Sequence, residues 1–219
     1  TLDNRSKRGI ALDLKSPEGR AVLDRLIEGA DVLVTNYPHD VIERLDLTWE
    51  RCSALNPRLV YAWLTGYGET GPEAGRPGFD TTAWWARSGL QDMVRATDAP
   101  PGPSMPGMGD HPTAMAVFGA VMLGLYDRER TGRGVRVGSS LLANGYWSNG
   151  VMVQAALVGA EFQPRRPREQ TLNALTGLYQ AGDGRWFMLV MLDEERGWPG
   201  LVAACEDDRL RAPDWADTP

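Results

Sequence analysis

Apolar residues along this chain change period several times, and each change marks an element. Over residues 10–14 they alternate with polar ones, the two-residue period of a strand. Ser16 and Pro17 then supply a cap and a favoured first helical residue. Val22, Leu23, Leu26 and Ile27 recur at helical spacing as far as Gly29, which stands where a left-handed terminating residue belongs. Residues 31–36 read as a buried parallel strand, so strand, helix and strand make a βαβ unit with a right-handed crossover. Short helices are expected over residues 41–45 and 49–55, the second capped by Thr48, and a strand over residues 58–65. Residues 81–90 read as a helix in which Trp84 and Trp85 pack. Residues 113–130 are apolar on nearly every face, which predicts a helix buried in the core, with Met115 and Met122 as core filler. A strand returns over residues 135–141, and residues 144–159 read as a helix or an inter-domain element. Residues 177–180 and 185–192 flank Ala181-Gly182-Asp183-Gly184, a hairpin signal, and a helix follows over residues 194–205.

This order gives an α/β fold class. A Rossmann-like open parallel sheet with helices on both faces spans residues 1–145, a linker residues 146–170, and the start of a smaller α+β domain residues 171–219. Within the linker, Pro164-Arg165-Arg166-Pro167-Arg168 is polar and stiff. At 219 residues the chain is longer than one small domain and shorter than two typical ones. It opens without Met and closes on a charged, Pro-containing tail, and so reads as a piece of a longer polypeptide whose large domain lacks its N-terminal part and whose small domain is incomplete.

The hydrophobic share of 42% suffices for a sizeable core, and no apolar run is long enough for a bilayer-spanning helix. A net charge of −6 argues against a nucleic-acid surface. The two cysteines, Cys52 and Cys205, are far apart and lack metal-ligand spacing, which suits reduced thiols in a cytoplasmic protein. No cluster of metal-ligand residues is present in the sequence, so no metal is expected.

The stretch with chemical promise is Pro106-Gly107-Met108-Gly109-Asp110-His111-Pro112-Thr113. Two glycines let the backbone turn sharply, and Pro112 sits where a helix can begin. A carboxylate at such a junction lies near backbone N–H groups and the positive end of a helix dipole. Asp110 can therefore be a helix cap or a nucleophile, and spacing alone leaves both open. Gly66-Tyr67-Gly68-Glu69-Thr70-Gly71 matches the spacing of a dinucleotide loop. Pro72, Gly75, Pro77 and Gly78 follow where a helix would have to begin, so residues 66–78 read instead as an ordered loop beside a site. A serine nucleophile elbow is absent from the sequence.

Six successive segments carry a resemblance: Asn4 through Gly19 (NRSKRGIALDLKSPEG), Ala30 through Tyr37 (ADVLVTNY), Leu55 through Tyr61 (LNPRLVY), Thr65-Gly66-Tyr67-Gly68, Gly109-Asp110, and Arg130-Thr131-Gly132-Arg133-Gly134. In this order they resemble the class III CoA-transferases, the CaiB/BaiF or formyl-CoA transferase-like family, from about Asn4 to Leu201.

The resemblance implies that the protein moves CoA from an acyl-CoA thioester to a carboxylic acid through a covalent intermediate on Asp110. It implies CoA contacts from Leu12, Lys15, Asn36, Tyr37, Arg44, Arg76, Gly78 and Phe79, with Lys15, Arg44 and Arg76 facing phosphates and Tyr37 lying against the adenine. Read singly, each is equally a surface cation or a packing ring. Acyl-CoA and carboxylic acid would be substrates, with no tightly bound cofactor, no nucleic-acid or membrane partner, and an interlocked homodimer as the native form. Asp193-Glu194-Glu195 lies where relatives supply substrate-side residues, and is equally an acidic helix start. An α-methylacyl-CoA racemase or acyl-CoA isomerase is the alternative enzyme. Its relatives carry Gly-His-Asp where this chain has Gly78-Phe79-Asp80, and Phe79 transfers no proton. A non-catalytic CoA-binding module is the alternative outside enzymes.

Overall fold

Three parallel strands frame the larger part of the molecule: β1 (Val32–Thr35), β2 (Val60–Thr65) and β3 (Val135–Ser140), in spatial order β1-β2-β3. Val60 lies between Val32 and Val135 across the sheet, and Thr65 ends the ladder opposite Ser140. The computed structural model describes residues 2–170, 172–205 and 207–211. It divides into one unit of Thr1–Arg95 with Pro101–Glu161 and a second of Ala96–Pro100 with Phe162–Pro219.

One face of the sheet is closed by α1 (Pro17–Glu28), α2 (His39–Arg44) and α3 (Trp49–Leu55). The Ser16 hydroxyl accepts from Gly19 N at 3.0 Å and opens α1, and Thr48 accepts from Arg51 N and opens α3. Ile27, Ile42, Leu47, Cys52, Leu59, Tyr61 and Trp63 form one buried cluster here. Two polar side chains at this cluster reach backbone acceptors. Tyr61 donates to the Leu47 carbonyl at 2.8 Å, and Asn56 Nδ2 donates to the carbonyls of Ile27 and Ala30 at 3.0 and 2.8 Å. Burial pushes the Tyr61 hydroxyl up to about 12 and raises the Cys52 thiol.

Three expectations for this region are corrected. Residues 10–14 form no strand. Ile10 is exposed, and the backbone after it is gathered into a turn by Asp13, whose carboxylate accepts from Lys15 N at 2.9 Å and whose carbonyl accepts from Ser16 N at 3.1 Å. Alternation makes a strand only where a sheet edge pairs with it. Gly29 has φ −95°, because its N–H closes onto the Arg25 carbonyl without a left-handed residue. β1 is parallel but not buried; as an edge strand it leaves Val34 61% exposed.

After β2 the chain makes a loop and then a π-helix, Asp80–Ala86, where an ordinary helix is expected. Arg87 N reaches the Thr82 carbonyl at 3.0 Å, the five-residue step of a π-turn. The wider turn lets both neighbouring indoles turn inward. Trp84 and Trp85 stack at 6.0 Å with an interplanar angle of 12°, and both are buried. A short α4 (Leu90–Met93) follows Gly89, whose φ is +87°.

The 22-residue α5 (Asp110–Thr131) lies on the opposite sheet face. A side chain at Gly124 would come within 2.9–3.3 Å of Val60, Val135 and Val137, so glycine is what lets the helix settle on the sheet. Arg128 Nη1 donates to the Asp31 carboxylate at 2.9 Å and ties the end of α5 to the start of β1. The expectation of a helix buried all round is corrected. Thr113, Val117, Gly124 and Arg128 are buried, but Met115, Phe118, Met122, Leu123 and Tyr126 are exposed. A helix lying on one sheet face covers only the stripe it turns toward that face. Ser140 then accepts from Ala143 N at 3.1 Å to open α6 (Leu141–Ser148), and α7 (Gly150–Leu157) completes this unit.

The smaller unit holds an antiparallel hairpin of β4 (Thr176–Gln180) and β5 (Trp186–Val190), turning through Gly184 at φ +85°, followed by α8 (Glu194–Cys205). Among the described residues no helix is long and apolar enough to cross a membrane.

Candidate active site

At the carboxyl ends of β1 and β2 the chain opens a cavity of about 550 Å³. This is where an open parallel sheet leaves room for a ligand. Three segments build its walls: residues 36–39 after β1, residues 63–69 at the end of β2, and residues 74–80 returning from the loop. Asp110 and Leu141 complete it.

The loop over residues 66–78 is closed at its neck. A Cβ on Gly66 would stand 2.8 Å from the Cα of Gly78, and one on Gly78 would meet both Gly66 and the Tyr67 ring. Glycine at both positions lets the two strands of the neck touch. The loop is also tied along its length. Gly68 N donates to Thr65 Oγ1 at 3.0 Å, the Glu69 carboxylate pairs with Arg136 of β3, and the Glu73 carboxylate accepts from both Arg76 and Arg87 at 2.9 Å.

Asp110 is the first residue of α5 and its side chain meets the cavity. Gly109, just before it, sits against Trp84, and an added Cβ would lie 2.6 Å from the Trp84 side chain. Any larger residue would displace the junction. The buried Asp80 carboxylate spans this junction from the π-helix. One oxygen accepts from Thr81 N at 2.7 Å, and the other faces Gly109 N at 3.4 Å. Partial removal from water raises the Asp110 pKa, the negative charge of Asp80 adds to the rise, and His111 opposes it. Three further N–H groups of this turn are engaged. Met108 N donates to the Met105 carbonyl, His111 N to Gly107 and Thr113 N to Gly109, while Pro112 has none.

The cavity brings together Asn36, Tyr37, Arg76, Gly78, Phe79 and Asp110. Leu12, Lys15 and Arg44 do not line it. Lys15 is exposed beside the turn before α1, and Arg44 lies on the outer side of α2, 3.6 Å from the Asp40 carboxylate. Arg76 is held by Glu73 rather than standing free. Lining residues that the sequence reading does not single out include Asp80, Trp63 and Glu69. For Asp80 the available signal was its place two residues after Gly78. A second cavity of about 560 Å³ shares Asn36, Tyr37 and Leu64 and is completed by Val34 and Thr35 of β1 and by Ala114, Val117, Phe118 and Val121 of α5.

The model of CoA-transferase family III matches residues 1–219, the whole length given. The chain belongs to CoA-transferase family III. It is 32% identical over 95% of its length to a (R)-2-hydroxy-4-methylpentanoate CoA-transferase of Clostridioides difficile, covering 53% of that protein. Against a cinnamoyl-CoA:phenyllactate CoA-transferase of Clostridium sporogenes it is 37% identical over 71% of its length and 38% of the relative's. The chain thus spans about half, or less, of the family III relatives it matches. The crystal structure of a CaiB/BaiF family protein from Brucella suis has the same fold, with a TM-score of 0.81 at 24% identity, over 97% of this chain and 56% of that one.

Proposed function

We propose that this protein exchanges CoA between an acyl-CoA thioester and a carboxylic acid, with Asp110 as the nucleophile. The observation that carries the reading is the position of Asp110 at the head of α5, on the wall of a cavity shared with Asn36, Tyr37, Arg76 and Phe79. Family membership supports the reaction class.

In this mechanism the Asp110 carboxylate attacks the thioester carbonyl, and the C–S bond breaks to release CoA thiolate and leave a mixed anhydride. The thiolate then attacks the aspartyl carbonyl. The donor acid departs as its carboxylate, and CoA is now esterified to the enzyme. An acceptor carboxylate attacks this thioester and frees the thiolate again. Attack of that thiolate on the acceptor acyl carbon yields the new acyl-CoA and restores Asp110. Each exchange is a covalent acyl transfer. Backbone N–H groups at this turn are the donors proposed for the oxyanion of each tetrahedral intermediate.

The raised Asp110 pKa supports the same role, since a carboxylate poorly stabilised by its surroundings is a stronger base and nucleophile. The exposed apolar face of α5 supports an interlocked homodimer as the working form. We place the protein in the cytoplasm, with CoA esters as substrates and no tightly bound cofactor. Asn36, Tyr37 and Arg76 are the contacts proposed for the nucleotide. Leu12, Lys15 and Arg44 join them only if CoA extends beyond the cavity wall.

The test is incubation of the purified protein with a panel of acyl-CoAs in the absence of acceptor, followed by mass spectrometry of the peptide containing Asp110. A CoA thioester on that residue is expected, and Asp110→Ala is expected to lose it together with at least about a thousandfold of transfer while still binding CoA. Near-normal transfer by Asp110→Ala would remove the nucleophile assignment. Deuterium entry at the acyl α-carbon in heavy water without an adduct would move the protein to the isomerases.

A further inference from the structure

Trp63 stands at the end of β2 with its ring on the cavity wall and its edge turned toward the segment after β1. Its indole Nε1–H donates to the Tyr37 carbonyl at 2.9 Å. The ring is held in that orientation from both sides. The Arg136 guanidinium lies 5.2 Å from its centroid, and the His39 ring packs at 5.9 Å. Arg136 in turn pairs with Glu69 of the 66–78 loop. One buried indole therefore joins the strand end carrying Tyr37 to β3 and, through Arg136, to the loop that carries Arg76.

We infer that Trp63 is a positioning residue for CoA recognition, fixing the Tyr37 backbone so that its ring and Asn36 meet the nucleotide in one orientation. This rests on the functional reading above. Tyr37 follows the last residue of β1, Thr35, by two positions, and among the described residues β1 pairs with β2 alone. The Trp63 hydrogen bond supplies a restraint beyond the point where the strand ladder ends at Thr35. Preorganisation of this kind strengthens binding by lowering the ordering cost of the bound state, without a contact of its own to the reacting atoms.

Trp63→Phe keeps an aromatic ring for Arg136 and removes the N–H together with part of the indole's volume. CoA affinity, measured by calorimetry with CoA alone, is expected to fall about fivefold, the worth of one net hydrogen bond, and the KM for acyl-CoA to rise alike while kcat changes by less than about twofold. In a Tyr37→Ala background the same substitution should have a clearly smaller further effect, carried by Asn36 alone, which a general packing defect would not reproduce. Arg136→Gln, nearer the surface, is expected to weaken CoA binding in the same direction with the thermal midpoint little changed, so that a poorly folding Trp63 variant leaves a second measurement. Wild-type affinity in Trp63→Phe, or full additivity with Tyr37→Ala, overturns the inference and leaves the functional reading standing. A wild-type protein that binds no CoA overturns both.

Discussion

The two faces of the central sheet both carry helices rich in apolar residues and are quite different in structure. On the α1–α3 face, seven side chains from α1, α2, α3, β2 and the segments between them interlock, and the Tyr61 hydroxyl and the Asn56 amide find backbone acceptors there. On the α5 face, one long helix buries a narrow stripe at Thr113, Val117, Gly124 and Arg128 and presents Met115, Phe118, Met122, Leu123 and Tyr126 to the outside. The difference shows that apolar content measures how much a segment can bury, while topology determines whether anything is there to bury it. It also divides labour: the closed face holds the fold, and the open face carries the candidate nucleophile at its head.

Substitutions on either side should read out that contrast. The largest effect is expected from Ile27→Ala on the closed face. Ile27 is 1% exposed, and its truncation should cost about 3 kcal/mol in urea unfolding; a cost below about 1 kcal/mol would mean that the cluster repacks freely. Leu123→Ser on the open face should change the unfolding free energy of the chain by less than about 0.5 kcal/mol yet shift sedimentation from dimer to monomer. A loss as large as that of Ile27→Ala would show that this face is closed within one chain.

The smallest effect is expected from Asp110→Asn, followed by its melting temperature across pH. The folded-state pKa of Asp110 lies above 3.8, so ionisation costs the folded state stability. That cost is complete above the folded pKa and absent below the unfolded one. The amide should therefore melt slightly higher at pH 7, and the advantage should fade as pH falls through the folded value toward 3.8. A gain that persists at pH 3 would assign the stabilisation to something other than charge.

Elements with their own punctuation were readable in advance. Ser16 and Thr48 cap the helices expected of them, and the hairpin around Gly184 and the span of α8 follow from turn chemistry and helical period. Features that depend on what lies opposite were not readable. The alternation of residues 10–14 was mistaken for a strand because pairing is not encoded within five residues. Two adjacent tryptophans at 84 and 85 gave no warning of a π-helix, since its cause is the space that accepts both rings. In the candidate site, Asp110 and the Asn36-Tyr37 pair stood out through local motifs. Asp80 approaches Gly109 across 29 residues of chain, and Trp63 bonds to Tyr37 across 26. Neither pairing leaves a periodic trace.

The touching glycines at the neck of the 66–78 loop have an evolutionary consequence. Because Gly66 and Gly78 meet backbone to backbone, the path from β2 to Phe79 and Asp80 is fixed at the neck, independently of what is strung between. The segment beyond the neck can gain, lose or exchange residues while the Asp80–Gly109 contact keeps its place. Such a closed neck lets the cavity wall formed by residues 67–77 change in sequence while the junction bearing Asp110 is held in place.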